Sequence, residues 1–439
     1  MCGINIYNKP NLNIDIINNL CKKRGPDNTN ILIKNNITFI HNLLHITGEK
    51  IIQPFIDDNI VCLFNGEIYN YLEFDNTYKS DGLCLIPLYK KHGINFTQYL
   101  DGEFAICLID FDKDYLLIST DIFSTKPLFY SFENEYFMIS SLNDSLQKAT
   151  FSNIKKLEAN TSIIFNLKDF NIINKISIYN FDLNQHKNNF DDWNKAFENA
   201  IIKRTKNNKF YLGLSSGYDS GAICFVLNKY HIKYHTYTII GSENKNIIEK
   251  RLNINNSTNN IYNLGNHDKM NHLNYISNNC DEFTKKIKIF NKKKKRYSVK
   301  KDKGSVGCSY ISDIANKNNY KINISGQGAD EILSDYGFNG KKIKSHSCFG
   351  GKFPEDLNKI FPWSSVFGGI GECLLMKEEL IAGSYGIENR YPFLDKNVVQ
   401  EFLWLSHELK NKNYKAPLHN YLTINNYPFQ KNKKIGFDP

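Results

Sequence analysis

Three segments of this 439-residue sequence carry residue types whose spacing could do chemistry. The first is Cys2. A small residue in second place favours removal of Met1, which leaves the cysteine with a free α-amine. That amine can serve as an internal base for the thiol beside it, because only the thiolate is strongly nucleophilic. The second is Ser215-Ser216-Gly217-Tyr218-Asp219-Ser220-Gly221-Ala222, which follows the apolar run Lys209 to Leu214 and leads into an apolar stretch from Ile223. Strand, small-residue turn and helix in that order suit a phosphate, since the first amides of a helix lack partners and carry the positive end of its dipole. The same residues also make ordinary helix N-caps. The third is Ser325-Gly326-Gln327-Gly328-Ala329-Asp330-Glu331, directly after the strand-like Ile322-Asn323-Ile324. Its two acids could equally cap a helix N-terminus.

The elements that must position these residues are partly legible. Alternation of apolar and polar residues predicts a strand at Ile4 to Ile6 and further strands at Ile60 to Phe64, Ala105 to Ile109, Tyr115 to Ser119 and Phe137 to Ser140. Asn65-Gly66 is the strongest short hairpin signal, so it is either a turn alone or a turn that also presents hydrogen-bond donors. Tyr237-Thr238 is strand-like, and Trp193, Phe197 and Ile201 repeat at helical spacing. The polar stretch between Asp182 and Asp191 marks a boundary, giving expected domains at residues 1–183 and 190–439.

Bulk properties agree with two folded domains, because 439 residues exceed one ordinary core and 41% apolar residues can fill two. Much of the net charge of +10 lies between Lys285 and Lys303, where Lys292 to Arg296 read KKKKR. Such a run is ordinarily a solvated loop, and no Cys/His ligand pairs or repeated aromatic platforms beside it argue for nucleic acid. Ten scattered cysteines without C-x-x-C pairs fit a reducing compartment, so a cytoplasmic location is expected. No run of 18 apolar residues predicts a membrane helix.

Arg24-Gly25-Pro26-Asp27, Gln53-Pro54, Asn65-Gly66-Glu67-Ile68-Tyr69-Asn70, Ser80-Asp81, Asp101-Gly102-Glu103-Phe104-Ala105 and Lys126-Pro127-Leu128-Phe129-Tyr130 follow Met1-Cys2-Gly3 in one order. Together they resemble the glutaminase half of the class II glutamine amidotransferases found in asparagine synthetases. The resemblance implies an α+β N-terminal-nucleophile (Ntn) hydrolase αββα sandwich with Cys2 as nucleophile. It implies that Asn65 and Gly66 form the oxyanion hole and that Glu67 and Asp81 hold the glutamine α-amino group. Two positions depart from the family. Leu43 stands where an arginine grips the glutamine carboxylate, and Leu83 where a second acid follows the aspartate. Arg24 is either a replacement anchor or part of the turn begun at Gly25.

The second half resembles the asparagine synthetase C-terminal domain, a parallel-sheet α/β ATP-pyrophosphatase fold of the adenine nucleotide α-hydrolase type. The resemblance rests on the Ser215–Ser220 loop, the Ser325–Glu331 block, Glu388-Asn389-Arg390-Tyr391-Pro392-Phe393-Leu394-Asp395, Lys415-Ala416-Pro417-Leu418-His419 and Lys434-Ile435-Gly436-Phe437. It implies ATP as substrate and Mg²⁺ held by Asp219 and Asp330. Ser215, Ser216, Gly217, Asp219, Ser220, Ser325 and Gly326 would contact ATP, with Leu214 and Ile239 enclosing adenine. Lys415 would stabilise charge between acyl carbon and pyrophosphate. The block of Arg390 and Asp395 is expected to serve packing. Ser216 replaces a glycine, Gln327 a glutamate and His419 an arginine of the family pattern. Aspartate is the leading acceptor, another carboxylic acid fits the same chemistry, and a non-catalytic descendant is the third alternative. Glutamine, ATP and the acceptor acid are the expected partners, with a homodimer the assembly to consider.

Overall fold

A computed structural model of the protein describes residues 1–206, 208–255, 257–288 and 294–431. The chain divides into two units. Unit 1 comprises Met1–Asn180 with Asn279–Glu282 and Ala382–Glu388, and unit 2 the remainder. The block at Lys434-Ile435-Gly436-Phe437 lies outside the described residues.

Unit 1 begins with β1 (Gly3–Tyr7), α1 (Ile14–Arg24), β2 (Asn28–Lys34) and β3 (Ile37–Leu43). It continues through β4 (Phe55–Asp57), β5 (Ile60–Ile68), α2 (Tyr71–Phe74), α3 (Leu85–His92), β6 (Gly102–Asp110) and β7 (Tyr115–Thr120). Then come β8 (Phe129–Glu133), β9 (Tyr136–Ser140), α4 (Asn143–Lys148), β10 (Lys155–Lys156), β11 (Thr161–Asn166) and β12 (Ile172–Ser177). The strands form two six-stranded sheets in the orders β10-β8-β9-β1-β3-β2 and β12-β11-β7-β6-β5-β4.

The period-2 pattern of the strands explains the layers. Ile4, Ile6, Phe39 and Ile139 of the first sheet pack with Val61, Leu63, Cys107 and Ile118 of the second. The opposite face of the second sheet sets Phe64, Phe104 and Ile106 against Leu85, Leu88 and Tyr89 of α3. Asn5, pointing away from the sheet interface, donates to Asn18 of α1 at 2.9 Å. The order helix, sheet, sheet, helix is the αββα sandwich.

One local reading is corrected. Asn65-Gly66 is not a hairpin turn but lies inside β5, where Asn65 pairs with Ala105 and Gly66 with Phe104 of β6. The apolar alternation resumes at Ile68, so the strand runs through the pair, and tertiary pairing overrides a two-residue turn signal.

Unit 2 opens with α5 (Asp191–Thr205), β13 (Phe210–Gly213), α6 (Tyr218–Lys229), β14 (Tyr234–Ile239), α7 (Lys245–Ile254), β15 (Ser257–Tyr262) and α8 (Asn266–Asn279). The Lys-rich stretch forms an antiparallel pair, β16 (Thr284–Lys288) and β17 (Lys294–Ser298), on either side of residues that are not described. There follow α9 (Lys303–Lys317), β18 (Ile322–Ile324), α10 (Ala329–Ser334) and the short β19 (Gly337–Phe338) and β20 (Lys341–Lys342). The last elements are α11 (Ile370–Gly383), β21 (Glu388–Arg390), α12 (Lys396–Trp404), α13 (His407–Asn411) and α14 (Ala416–Ile424). A five-stranded sheet has the order β15-β14-β13-β18-β21, with β15, β14, β13 and β18 parallel to one another. Parallel strands need helical crossovers, which α6, α7 and α9 supply. No helix among the described residues is long and apolar enough to cross a membrane.

Asp395 joins the packing of unit 2. Its carboxylate caps α12 by accepting from Asn397 N at 3.0 Å and meets Arg204 Nη1 at 2.8 Å and Lys203 Nζ at 2.5 Å. Arg390 Nη1 donates to the Arg204 carbonyl at 2.9 Å, so the block serves the core as expected. Burial alone would raise the Asp395 pKa, but Lys203 and Arg204 outweigh it and hold the group well below the carboxylate range. Its stabilisation is therefore present above the unfolded carboxylate pKa of about 4 and lost as pH falls through the folded value. Replacing Asp395 by Asn should destabilise unit 2 by about 3–5 kcal/mol in urea titrations at neutral pH, because two cations lose their buried partner. The gap between variant and wild type should narrow in acid.

Candidate active sites in the two units

In unit 1 the N-terminus is held from several sides. Cys2 N donates to Asn65 Oδ1 at 2.8 Å, and the Cys2 carbonyl accepts from Arg24 Nε at 3.2 Å. Arg24, 1% exposed, also meets Met1 Sδ. It thus anchors the backbone of the cysteine, a structural contact. Gln53 clips β5 just before Asn65, accepting from Phe64 N at 2.8 Å and donating to Phe64 O at 3.1 Å. Beneath β1, Asn42 Nδ2 donates to Asn18 Oδ1 at 2.8 Å and Asn5 joins the same buried amide cluster.

This fixed frame leaves one donor exposed to chemistry. With Oδ1 taken by Cys2, Asn65 Nδ2 is buried and has no partner among the described residues. A buried amide donor without a partner costs about 1–3 kcal/mol, so its persistence beside a thiol is a functional signal. Gly66 has φ +137°, and a Cβ there would fall 1.9 Å from the Glu103 carbonyl, so no other residue fits. Burial pushes the Cys2 thiol up to about 11 while the Met1 amine opposes the shift. Glu67 is buried in β5. Asp81 accepts from Ile68 N and Gly82 N, each at 2.9 Å, and burial raises its pKa to about 6. Leu43 ends β3, buried, and the next residue presents its carbonyl to the cysteine, with Leu44 O accepting from Cys2 Sγ at 4.0 Å.

Glu388 was missed as a member of this site. Although it stands late in the sequence, it belongs to unit 1, and its carboxylate lies 3.4 Å from the buried Met1 amine. No local pattern could have announced it, because a partner so distant in sequence is specified by the fold alone.

In unit 2 the loop after β13 sits at the carboxyl end of the parallel sheet, where ligands of open α/β sheets bind. Leu214 N donates to Tyr237 O at 2.9 Å and Ile239 ends the adjacent β14, which places both residues at the loop end of their strands. Ser215 Oγ and Ser220 Oγ are 2.8 Å apart, Ser215 N donates to Ser220 Oγ at 3.0 Å, and Gly217 N donates to Ser215 Oγ at 3.2 Å. Ser216 is directed elsewhere, its N donating to Glu243 Oε2 at 2.6 Å.

The loop after β18 comes to the same place. Ser325 N donates to Arg390 O at 2.9 Å, and a Cβ on Gly326 would lie 3.0 Å from that of Asp219. The two acids of this segment separate in role. Glu331 accepts from Gly328 N at 3.1 Å, which is the capping alternative, and from Gln327 Nε2 at 2.6 Å. Asp330 instead meets Lys415 Nζ at 2.8 Å and Tyr414 Oη at 2.9 Å. Lys415 Nζ also lies 2.6 and 2.8 Å from the two oxygens of Asp219. One ammonium thus bridges the carboxylates from both loops. Burial alone would lower the Lys415 pKa, but Asp219 and Asp330 outweigh it and hold the group well above the usual value. Lys415 has φ +50°, a strain of about 1–3 kcal/mol kept where the side chain is required. His419 Nδ1 and the Tyr218 hydroxyl are hydrogen-bonded at 3.1 Å. Since both carboxylates lie within bonding distance of one cation, the pair also fits a divalent ion, which prefers hard oxygen ligands.

Comparisons with known proteins agree with the unit 1 geometry. Residues 1–180 match the glutamine amidotransferase domain family. A Methanocaldococcus jannaschii protein provisionally named asparagine synthetase (glutamine-hydrolysing) 1 is 26% identical over 89% of this chain and 77% of its own length. The glutamine-hydrolysing asparagine synthetase of Gallus gallus is 23% identical over 79% of this chain and 65% of its own, and asparagine synthetase B of Escherichia coli 27% over 49% and 41%. A solved glutamine phosphoribosylpyrophosphate amidotransferase from B. subtilis aligns at a TM-score of 0.34 with 13% identity, over 53% of this chain and 65% of that one, a likeness too weak to argue from.

The carboxylate pair makes a prediction that needs no turnover. Lys415→Met leaves Asp219 and Asp330 facing each other, so the variant should melt below wild type without divalent ions. Added MgCl2 should restore part of the lost Tm, and restore none of it in a Lys415→Met, Asp330→Asn double variant.

Proposed function

We propose that this chain, whose residues 1–180 form a glutamine amidotransferase domain, moves the amide nitrogen of glutamine onto aspartate in an ATP-driven synthesis of asparagine. The observation that carries the ATP half of the reading is the bridging of Asp219 and Asp330 by Lys415. The similarity to glutamine-hydrolysing asparagine synthetases supports the pairing of the two reactions.

In the first reaction, loss of Met1 turns the Cys2 nitrogen, 2.8 Å from Asn65 Oδ1, into an amine that takes the thiol proton. The thiolate attacks the glutamine amide carbon, and the oxyanion accepts from Asn65 Nδ2 and the Gly66 amide. Ammonia leaves with the proton, and water hydrolyses the glutamyl thioester. Glu67 and Asp81 supply negative charge for the substrate ammonium.

In the second, a carboxylate oxygen of aspartate attacks the α-phosphorus of ATP and expels pyrophosphate. Ammonia then attacks the acyl carbon of the β-aspartyl-adenylate and AMP leaves. Asp219 and Asp330 would hold Mg²⁺, which neutralises triphosphate charge. Ser215, Ser216, Gly217, Ser220, Ser325 and Gly326 would line the phosphate side, the Ser216 amide being held by Glu243 in this structure, while Leu214 and Ile239 would offer apolar walls to adenine. Lys415 stabilises charge gathering between the acyl carbon and the departing pyrophosphate. All ten cysteines are free, which supports a reducing, cytoplasmic setting.

A second reading, another carboxylic acid as acceptor, is favoured by Gln327, which cannot exchange a proton at neutral pH and whose amide donates to Glu331. With ATP, Mg²⁺ and glutamine supplied, aspartate should stimulate AMP formation more than a panel of other acids does. A different best acid would replace asparagine synthesis by the second reading, and silence with every acid would refute both. Cys2→Ala should abolish turnover with glutamine and keep turnover with ammonium salts. Asp81, with its pKa raised by burial to about 6, is ionised above that pH and protonated below it. The KM for glutamine should therefore rise as pH falls through about 6, and Asp81→Asn should flatten that profile.

A further inference from the structure

The loop between β13 and α6 already holds an anion supplied by the chain itself. Ser216 donates twice to one carboxylate oxygen of Glu243, from N at 2.6 Å and from Oγ at 2.5 Å. The same hydroxyl accepts from Asn244 N at 3.0 Å, and Asn244 caps α7 by accepting from Ile247 N at 3.3 Å. Farther along α7, Arg251 Nη2 donates to Gly217 O at 2.8 Å and Nη1 to Ser215 O. Arg251 of α7 and Glu243, the residue before the helix's N-cap, therefore grip the loop from two sides, through carbonyls behind it and through a carboxylate on its amide side.

The two grips differ in consequence. The Arg251 bonds use loop carbonyls, which a phosphate does not need. The Glu243 bond uses the Ser216 amide, one of the donors a phosphate would need. Two anions at one N–H repel, and at about 4 Å the repulsion is several kcal/mol in a partly buried setting. The hydroxyl that strengthens this bond exists because serine stands where the family pattern has glycine.

We infer that Glu243 is a latch, closed on the Ser216 amide when no nucleotide is bound and displaced by the polyphosphate of MgATP, which frees residues 240–244 and the first turn of α7. The inference rests on the nucleotide reading above and adds a conformational step to it. A protein whose competent form is only partly populated binds with an affinity reduced by that fraction.

Calorimetric titration of MgATP into wild type, Glu243→Gln and Glu243→Ala tests the latch. If the latch is closed nine times in ten, both variants should bind about tenfold more tightly. Hydrogen exchange on wild type gives a readout independent of variant folding, with peptides spanning 240–250 losing protection when MgATP saturates. Unchanged or weaker binding by the variants, or added protection of 240–250, would overturn the latch and make Glu243 a permanent brace of the loop. Absence of MgATP binding by wild type and variants alike would overturn the nucleotide reading and the latch together.

Discussion

The arrangement of unit 2 depends on a buried lysine shared by two carboxylates. Taking Lys415 and Asp330 out of water costs several kcal/mol per ion, and their attraction to each other and to the part-exposed Asp219 only approximately repays it. Packing alone would be better served by apolar residues. The cluster also holds Lys415 in a left-handed conformation and draws the loops after β13 and β18 together. These three requirements fall on one point at the carboxyl end of the sheet, where a triphosphate would need a cation and a fixed positive charge. Tyr414, bonded to Asp330, keeps that carboxylate oriented.

Unit 1 meets a different constraint, the placing of a nucleophile at the frayed end of a chain. Termini are usually mobile, yet Met1 and Cys2 are buried and bonded. Asn65, Arg24 and Glu388 come from three distant parts of the sequence to hold them. The asparagine does double service, its oxygen fixing the Cys2 nitrogen while its amide, without a partner among the described residues, stays available to an oxyanion. Gln53 and the Asn5, Asn18 and Asn42 cluster stiffen the strands on either side.

How much of this was legible in the sequence varies with the range of the interaction. Ile322-Asn323-Ile324 became β18, and the helical spacing of Trp193, Phe197 and Ile201 became α5 with those side chains buried, since local periodicity dictates which face is covered. Asn65-Gly66 misled as a turn because strand pairing with β6 is a tertiary fact. The separation of Asp330 from Glu331 could not be read, as adjacent acids look alike until one meets Lys415 and the other an amide of its own helix. Glu388 and Glu243 were invisible for the same reason. The replacement of glycine by Ser216 was visible, but its meaning required the carboxylate opposite it.

In the proposed function, Asp219, Asp330 and Lys415 together make a carboxylic acid reactive through ATP. Exchange of labelled pyrophosphate into ATP tests it most directly, in full-length protein with Cys2 replaced by Ala so that no glutamine chemistry intervenes. Exchange should require both Mg²⁺ and an acceptor acid and disappear in Asp330→Asn. Exchange that proceeds without any acid, or that survives loss of Asp330, would contradict it.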